Sequence, residues 1–396
     1  MFFWYLSFLF LFSSLYLTTQ FNTSGNYVVT VMILLSIPVM VLASSKRERA
    51  VRFRKPALLF MYGYLFASSL AALVHADLNL LLTPAVLFIL FLAATAVVPA
   101  YQGPQMNKVV SRAIFASHLP VILIPLALKG LETSPYRGVF YNPNSFGTVM
   151  ATLFATFFAL FLFHLEDYML GRNRAAGKLL LELLGLFLLL YFIILSGSRT
   201  SVLAVAVVLA TGLGFLFIKL LRARNLSPVM IKGTLFTVIS FVVVAFLVRA
   251  TPFYQYLYTN IVHKFIRKAE RGDILDRRGM IWSQTIDDAG FLGNGSTYFA
   301  DHFGLGAHNT FLSILGEHGW IALVCFIGFL AFSGGAALKY AANQMEDKYK
   351  YLPLMLVVCF TLLSMGESML FKVSMLAMFF SLGAAFQFTF RKKPQP

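Results

Sequence analysis

The sequence predicts an all-α integral membrane protein of about twelve transmembrane helices, folded as one polytopic domain over residues 1–396. Three observations predict it. Of 396 residues, 59% are hydrophobic and only 12% charged, whereas a soluble domain carries charge on about a quarter of its residues. Apolar stretches of the roughly 17–25 residues needed to cross a bilayer recur from end to end. No stretch alternates in polarity over about ten residues, as the strand of a membrane β-barrel would.

Taken in order between polar breaks, the expected spans lie near 2–19, 27–44, 57–75, 79–100, 113–129, 146–165, 179–195, 201–219, 233–250, 311–337, 352–366 and 369–390. The first lacks the basic start of a secretory signal and reads as a retained helix. Lys46-Arg47-Glu48-Arg49, with Arg52, Arg54 and Lys55, makes the densest break, between the second and third spans. The longest polar interval, 251–310 between spans nine and ten, reads as a loop carrying part of a functional site.

Charge orients the chain. The connections 45–56, 101–112, 166–178, 219–232 and 338–351, with the C-terminal tail, hold 21 of the 32 Lys and Arg. Cytoplasmic connections are enriched in these residues, so both termini are expected in the cytoplasm. The net charge of +16 does not point to nucleic acid, because the bases punctuate apolar spans rather than clustering on a soluble face. The two cysteines, Cys325 and Cys359, fall inside apolar stretches and offer neither a disulfide framework nor metal-ligand spacing.

The bases outside those connections break the rule. They include Lys129, Arg137, Arg199, Arg249, Lys264 and Arg278, all expected on the outer side or at helix ends facing it. An anionic ligand there would explain them. The plain alternative is pairing with the six acids of 251–308, which include Asp273, Asp276, Asp287 and Asp288; both readings stay open for the loop as a whole. No acid lies close to Arg199 in sequence.

Three groups of motifs stand out on that side. Ser196-Gly197-Ser198-Arg199-Thr200 forms a tight turn between apolar helices. Either Arg199 snorkels and anchors the turn, or the small residues beside it let a phosphate reach its two-pronged donor. Arg137 is followed by Tyr141-Asn142-Pro143-Asn144-Ser145-Phe146-Gly147, where Asn144 is expected to cap the sixth span. In the large loop, Arg277-Arg278-Gly279-Met280-Ile281-Trp282 precedes Gly293-Asn294-Gly295, then His308-Asn309-Thr310 and Glu317-His318-Gly319. A histidine at His308 is either simply solvated or a proton acceptor near neutral pH. Glu317 and His318, opening the next span, read as structural. No Walker loop, dinucleotide fingerprint, nucleophile elbow or zinc signature appears, so no metal or cofactor is expected.

In their order and placement these motifs resemble the O-antigen ligase superfamily over roughly residues 135–320. That superfamily includes O-antigen ligases, some O-antigen polymerases and protein O-oligosaccharyltransferases; ligase is the nearest likeness. The resemblance implies a GT-C-type glycosyltransferase of the bacterial inner membrane with its site facing the periplasm. It implies transfer of a glycan from undecaprenyl diphosphate to a sugar hydroxyl of lipid A–core, metal-independent and inverting, with membrane lipids around it and the prenyl tail in a groove between helices. Matched position by position, Arg199 and Arg278 correspond to diphosphate-binding arginines, and His308 to the essential histidine. Arg137 matches more loosely, and Asn142 and Asn144 match a motif without an assigned task. Ser198 and Asn309 would support the arginine and the histidine beside them. Arg277-Arg278 stands where Gly-Arg is commoner, so either arginine is a candidate for the ligand. The rivals are a polymerase using the same donor and, from another class, a transporter or lipid flippase. The latter often shows paired repeats and midplane charges; no such repeat is visible here, and Glu182 is the main mid-helix ionisable group.

Overall fold

In the computed structural model, the long apolar stretches form long helices, because a backbone in lipid must satisfy its own N–H and C=O groups. The structure describes residues 2–15, 17–18, 31–41 except 33 and 40, 55–94, 105–130, 135–172, 176–222, 228–250, 252–270, 272, 278–343 and 347–388. The main helices are α1 (Phe2–Leu15), α2 (Lys55–Val74), α3 (Leu78–Leu92), α4 (Met106–Lys129), α5 (Pro143–Met169), α6 (Ala176–Ser196), α7 (Arg199–Arg222) and α8 (Pro228–Ala250). After the short α9 (Pro252–Leu257) and a π-helical turn come α10 (His263–Glu270), α11 (Arg278–Asp288) and α12 (Tyr298–Phe303). The chain closes with α13 (Thr310–Asn343), α14 (Leu352–Ser364) and α15 (Val373–Phe388). Among the described residues there is no strand, only an isolated bridge between Thr18 and Phe140.

Among the described residues six helices, α2, α4, α5, α6, α7 and α13, are long and apolar enough to cross a membrane. The fold is therefore all-α and membrane-embedded. Part of the expected span 27–44 lies outside the described residues. Helix α4 begins at Met106 rather than near 113. The reason is burial of its polar start, where the Asn107 amide donates to Tyr340 (3.4 Å) and Asp347 (3.2 Å). The expected loop 251–310 is largely helical, formed by α9 to α12 and their connections.

Helix α5 is the central post. Its most apolar window is 89% buried, against 33–44% for the other long apolar helices. Thr148, Thr152 and Thr156 donate to backbone carbonyls three or four residues back, which lets polar side chains exist without water. Small residues let neighbouring helices approach closely: a Cβ on Gly147 would lie 2.6 Å from that of Ser198. Helices α6, α7 and α14 surround α5, α13 packs on α2, and α1 and α15 pack on α4. The lipid face is equally legible, since Leu59, Phe66 and Leu73, seven residues apart on α2, are 71%, 70% and 69% exposed.

At the end of the bundle away from the 251–310 segment, Glu166 accepts from Lys219 (2.9 Å), Lys350 (2.7 Å) and the Tyr351 hydroxyl. Lys350 is completely buried. Near it, Glu182 lies 2.7 Å from His164, which in turn contacts Lys178 at 2.9 Å. Buried charges persist only when paired, and both groups satisfy that condition.

Candidate functional site

The opposite end of the bundle gathers the sequence motifs around the turn at 365–372, between α14 and α15. Asn142 is in extended conformation, with its side chain accepting from the Asn144 amide at 2.7 Å, and Pro143 occupies the first helical position. So Asn142, not Asn144, caps α5. Proline fixes the first helical residue and has no N–H to satisfy, which puts the capping site one residue before it. Asn144 lies inside the helix, and its amide is free to donate to Glu367 Oε1 at 2.9 Å.

Arg278 opens α11. One guanidinium nitrogen donates to the Gly366 carbonyl at 2.9 Å, and another lies 3.9 Å from Glu367 Oε1. His308 Nδ1 stands 3.8 Å from Glu367 Oε2. His308 has φ +48, a left-handed backbone uncommon for a side-chain-bearing residue and costing on the order of 1 kcal/mol or more. What holds it is the segment that follows. Asn309 accepts from the Phe311 and Leu312 amides (2.9 and 3.2 Å) and donates to the Met365 carbonyl (3.0 Å). Thr310 donates to the Glu367 carbonyl (3.0 Å) and accepts from the Met369 amide (2.9 Å). The His-Asn-Thr motif thus straps the start of α13 to the 365–372 turn.

Glu367 is the hub that the sequence motifs did not name. Burial would raise its carboxyl pKa, but contact with His308 and the charges of Lys372 and Arg278 together hold it below the usual carboxylate range. The carboxylate is therefore ionised at neutral pH. Its signal was present in the sequence: an acid flanked by apolar spans in a two-residue connection is costly unless partnered.

Arg199 begins α7, with its guanidinium carbon 5.0 Å from the centre of the Phe265 ring. Ser198 is buried, its hydroxyl 2.8 Å from that of Ser201, and it closes the turn rather than facing open space. Arg199 and Arg278 line one cavity of about 410 Å³, with Thr200, Phe265, Trp282 and Gly366. Trp282 is oriented by donating to the Ala307 carbonyl at 2.9 Å. Val202 and Ala206 also line a second, mostly apolar cavity of about 820 Å³ between α6, α7 and α8, with Arg249 in its lining. That one shares Leu190, Leu209, Phe241 and Val244 with a third, deeper cavity of about 140 Å³. A charged end and an apolar run therefore adjoin.

Arg137 lies outside this lining. It is exposed and contacts the Tyr141 carbonyl at 3.5 Å. Arg277, Asp273 and Asp276 lie outside the described residues. Among the described residues no three His, Cys, Asp or Glu side chains converge as a metal site.

Gly293-Asn294-Gly295 has a structural task. Helix α13 breaks at Gly319 (φ +88), and the chain at 290–295 fills the break. Gly290 and Phe291 accept from the amides of Trp320 (3.2 Å) and Ile321 (3.3 Å), while Asn294 N donates to Gly316 O (2.8 Å). A Cβ on Gly293 would come 2.4 Å from the Glu317 carbonyl oxygen, and one on Gly319 2.3 Å from Gly293 N. Asp77, capping α3, accepts from the Ser296 amide (2.9 Å) and hydroxyl (2.6 Å), and these bonds push its carboxyl down to about 2.

No known protein-family model matches the chain, and comparison with curated proteins finds no significant relative.

Proposed function

We propose that the chain is a glycosyltransferase of the O-antigen ligase type. It moves an O-antigen polysaccharide from undecaprenyl diphosphate to a sugar hydroxyl of lipid A–core at the periplasmic face of a bacterial inner membrane. The observation that carries this reading is that Arg199 and Arg278 line one cavity while His308 faces the carboxylate that also holds Arg278. The adjoining apolar cavities between α6, α7 and α8 suit a prenyl chain. A GT-C-type frame of twelve spans, with both termini cytoplasmic, completes the proposal.

The chemical task is to break a bond between the anomeric carbon and a phosphate oxygen while charge builds on the departing diphosphate. Two arginines already aimed at that charge stabilise it without reorganising solvent. Glu367 holds Arg278 from one side, leaving the rest of its guanidinium for the phosphate. His308 takes the proton of the acceptor hydroxyl as the oxygen attacks the anomeric carbon from the face opposite the leaving group. The new C–O bond forms, the C–O bond to phosphate breaks, and configuration inverts. With one histidine nitrogen directed at Glu367, the other is available to the hydroxyl. General-base help of this kind supplies about 10²–10⁴-fold in rate. No step requires a metal.

The test is transfer by the purified chain in vesicles, with no ion gradient and with chelator present. Donor glycan on undecaprenyl diphosphate is offered with lipid A–core, or with a second lipid-linked glycan. Glycan appearing on lipid A–core is the expected result. Glycan lengthening only on the second lipid-linked substrate would make the enzyme a polymerase, and transfer to neither acceptor would sink the proposal.

A further inference from the structure

The segment after α8 carries an apolar stripe that the described residues leave uncovered. Helix α9, the π-helical turn and α10 follow one another without a break, as one helical stretch from Pro252 to Glu270. Tyr254, Tyr258, Val262 and Ile266, four residues apart and so along one side of that stretch, are 38–53% exposed. Gln255, Thr259, His263 and Arg267, each one place further on, are exposed beside them. Phe253, Asn260 and Ile261 are buried, on the side that packs against α6. An apolar stripe therefore runs next to a polar one on the outer face of a helix whose inner face belongs to the bundle.

Two properties of this face point to a lipid surface. It continues an apolar surface already exposed on α8, at Phe241, Val242 and Phe246, and α9 begins two residues after α8 ends. Its Tyr254 and Tyr258 are of the aromatic type enriched where water meets lipid. The charge is also one-sided: Lys264, Arg267 and Lys268 stand in α10 against a single acid, Glu270. A basic amphipathic helix lies in the plane of a membrane, its apolar side among the acyl chains and its cations among anionic headgroups. The inner side gives such a seat a consequence. Phe253, Tyr254 and Leu257 line the larger apolar cavity, while Ile261 and Phe265 line the one that holds Arg199 and Arg278. One helical stretch thus forms a wall of both.

We propose that residues 252–270 form an interfacial helix, seated in the headgroup layer at this end of the bundle, that binds anionic phospholipid through Arg267 and the bases beside it. The stripe of Tyr254, Tyr258, Val262 and Ile266 enters the boundary between headgroups and acyl chains, and the cations of α10 take the lipid phosphates. The occupant is the bilayer's own anionic lipid, and its binding holds the shared wall of the two cavities at the membrane surface.

The experiment places the photoreactive residue p-benzoylphenylalanine at Tyr258, at Val262 or, as a control on α8, at Phe246 in the full chain. The chain is irradiated in nanodiscs of mixed phosphatidylcholine and phosphatidylglycerol, and in membranes of the expression host, and the adducts are identified by mass spectrometry. Phospholipid adducts are expected at all three positions, with phosphatidylglycerol enriched above its share of the bilayer at 258 and 262 but not at 246. Arg267→Gln is expected to lower that enrichment roughly two- to fivefold, the scale of one cation near an anionic surface, while Arg267→Lys keeps it. Lipid adducts at 246 alone, adducts at 258 and 262 without headgroup preference, or an enrichment that Arg267→Gln leaves unchanged would overturn the proposal. Protein adducts at 258 and 262 in host membranes would overturn it too, making the stripe a docking face for another chain. Glycan transfer is not the readout, so this proposal and the lipid-diphosphate reading can fail separately.

Discussion

Asn144 donates a 2.9 Å hydrogen bond to Glu367 across 223 residues of chain, tying the first turn of the central helix to the turn that holds Arg278 and His308. The bond makes a double-mutant cycle informative. Asn144→Ala should lower transfer about tenfold or more, as expected for loss of a hydrogen bond to a charged group worth about 1.5–3 kcal/mol. In a Glu367→Gln background the same change should cost much less, because the two residues act through one contact. Fully additive losses would mean that Asn144 works elsewhere.

Removal of either arginine should remove transition-state stabilisation. Arg199→Ala and Arg278→Ala are each expected to lower kcat about 10²–10³-fold, and His308→Ala about 10²–10⁴-fold. In Arg199→Ala, whose side chain sits at the cavity, helix content and thermal midpoint should stay near wild type, while Arg278→Ala and His308→Ala each take a partner from the buried Glu367 carboxylate and should lower the midpoint without unfolding the chain. Rates near wild type in folded Arg199→Ala and Arg278→Ala would remove both from the donor site. A near-normal rate in His308→Ala would remove the base alone.

Gly293 and Gly319 meet backbone to backbone, so their substitution should register in stability first. Gly293→Ala or Gly319→Ala must shift main-chain atoms now 2.3–2.4 Å from the new Cβ. Each adds left-handed strain of about 1–3 kcal/mol. A drop in thermal midpoint of several degrees is expected for either variant in detergent. An unchanged midpoint would show that the 290–295 segment is not clamped into the break in α13.

The Asp77–Ser296 contact predicts an acid limit for that same clamp. The folded carboxyl is pushed down to about 2 from the ordinary 3.8. A depressed carboxyl contributes stability that is fully present above its unfolded pKa and is lost as pH falls through the folded value. Protection of the 290–296 amides from hydrogen exchange, corrected for intrinsic rates, should therefore be flat from pH 7 to about 5 and fall between about pH 4 and 2. Asp77→Asn should lack that step. A wild-type profile with the step near neutral pH would assign it to another group.

The sequence made the helical class and several residues of the candidate site legible. Apolar stretches at bilayer length need nothing beyond the chain itself to be read, and Arg199, Arg278, His308 and Asn309 stood out as polar groups between them. Glu367 was legible as a costly acid in a short connection between apolar spans, but its partners were not, because Asn144, Arg278 and His308 are none of them nearer than 59 positions. The exchange of roles between Asn142 and Asn144 depended on Pro143 occupying the first helical turn. Gly-Asn-Gly read as a candidate site motif because a glycine required for backbone contact looks, in one sequence, like a glycine required by a ligand. The helical character of 251–310 was hidden by its polar composition, which marks an aqueous surface but does not decide between helix and loop.

The central claim, one donor site between two arginines, is tested most directly by a structure of the full chain with undecaprenyl diphosphate in a lipid nanodisc. The account predicts the phosphates between the Arg199 and Arg278 guanidinium groups and the prenyl chain running between α6, α7 and α8. Phosphate density at a different part of the molecule, with the cavity beside Trp282 empty, would contradict it.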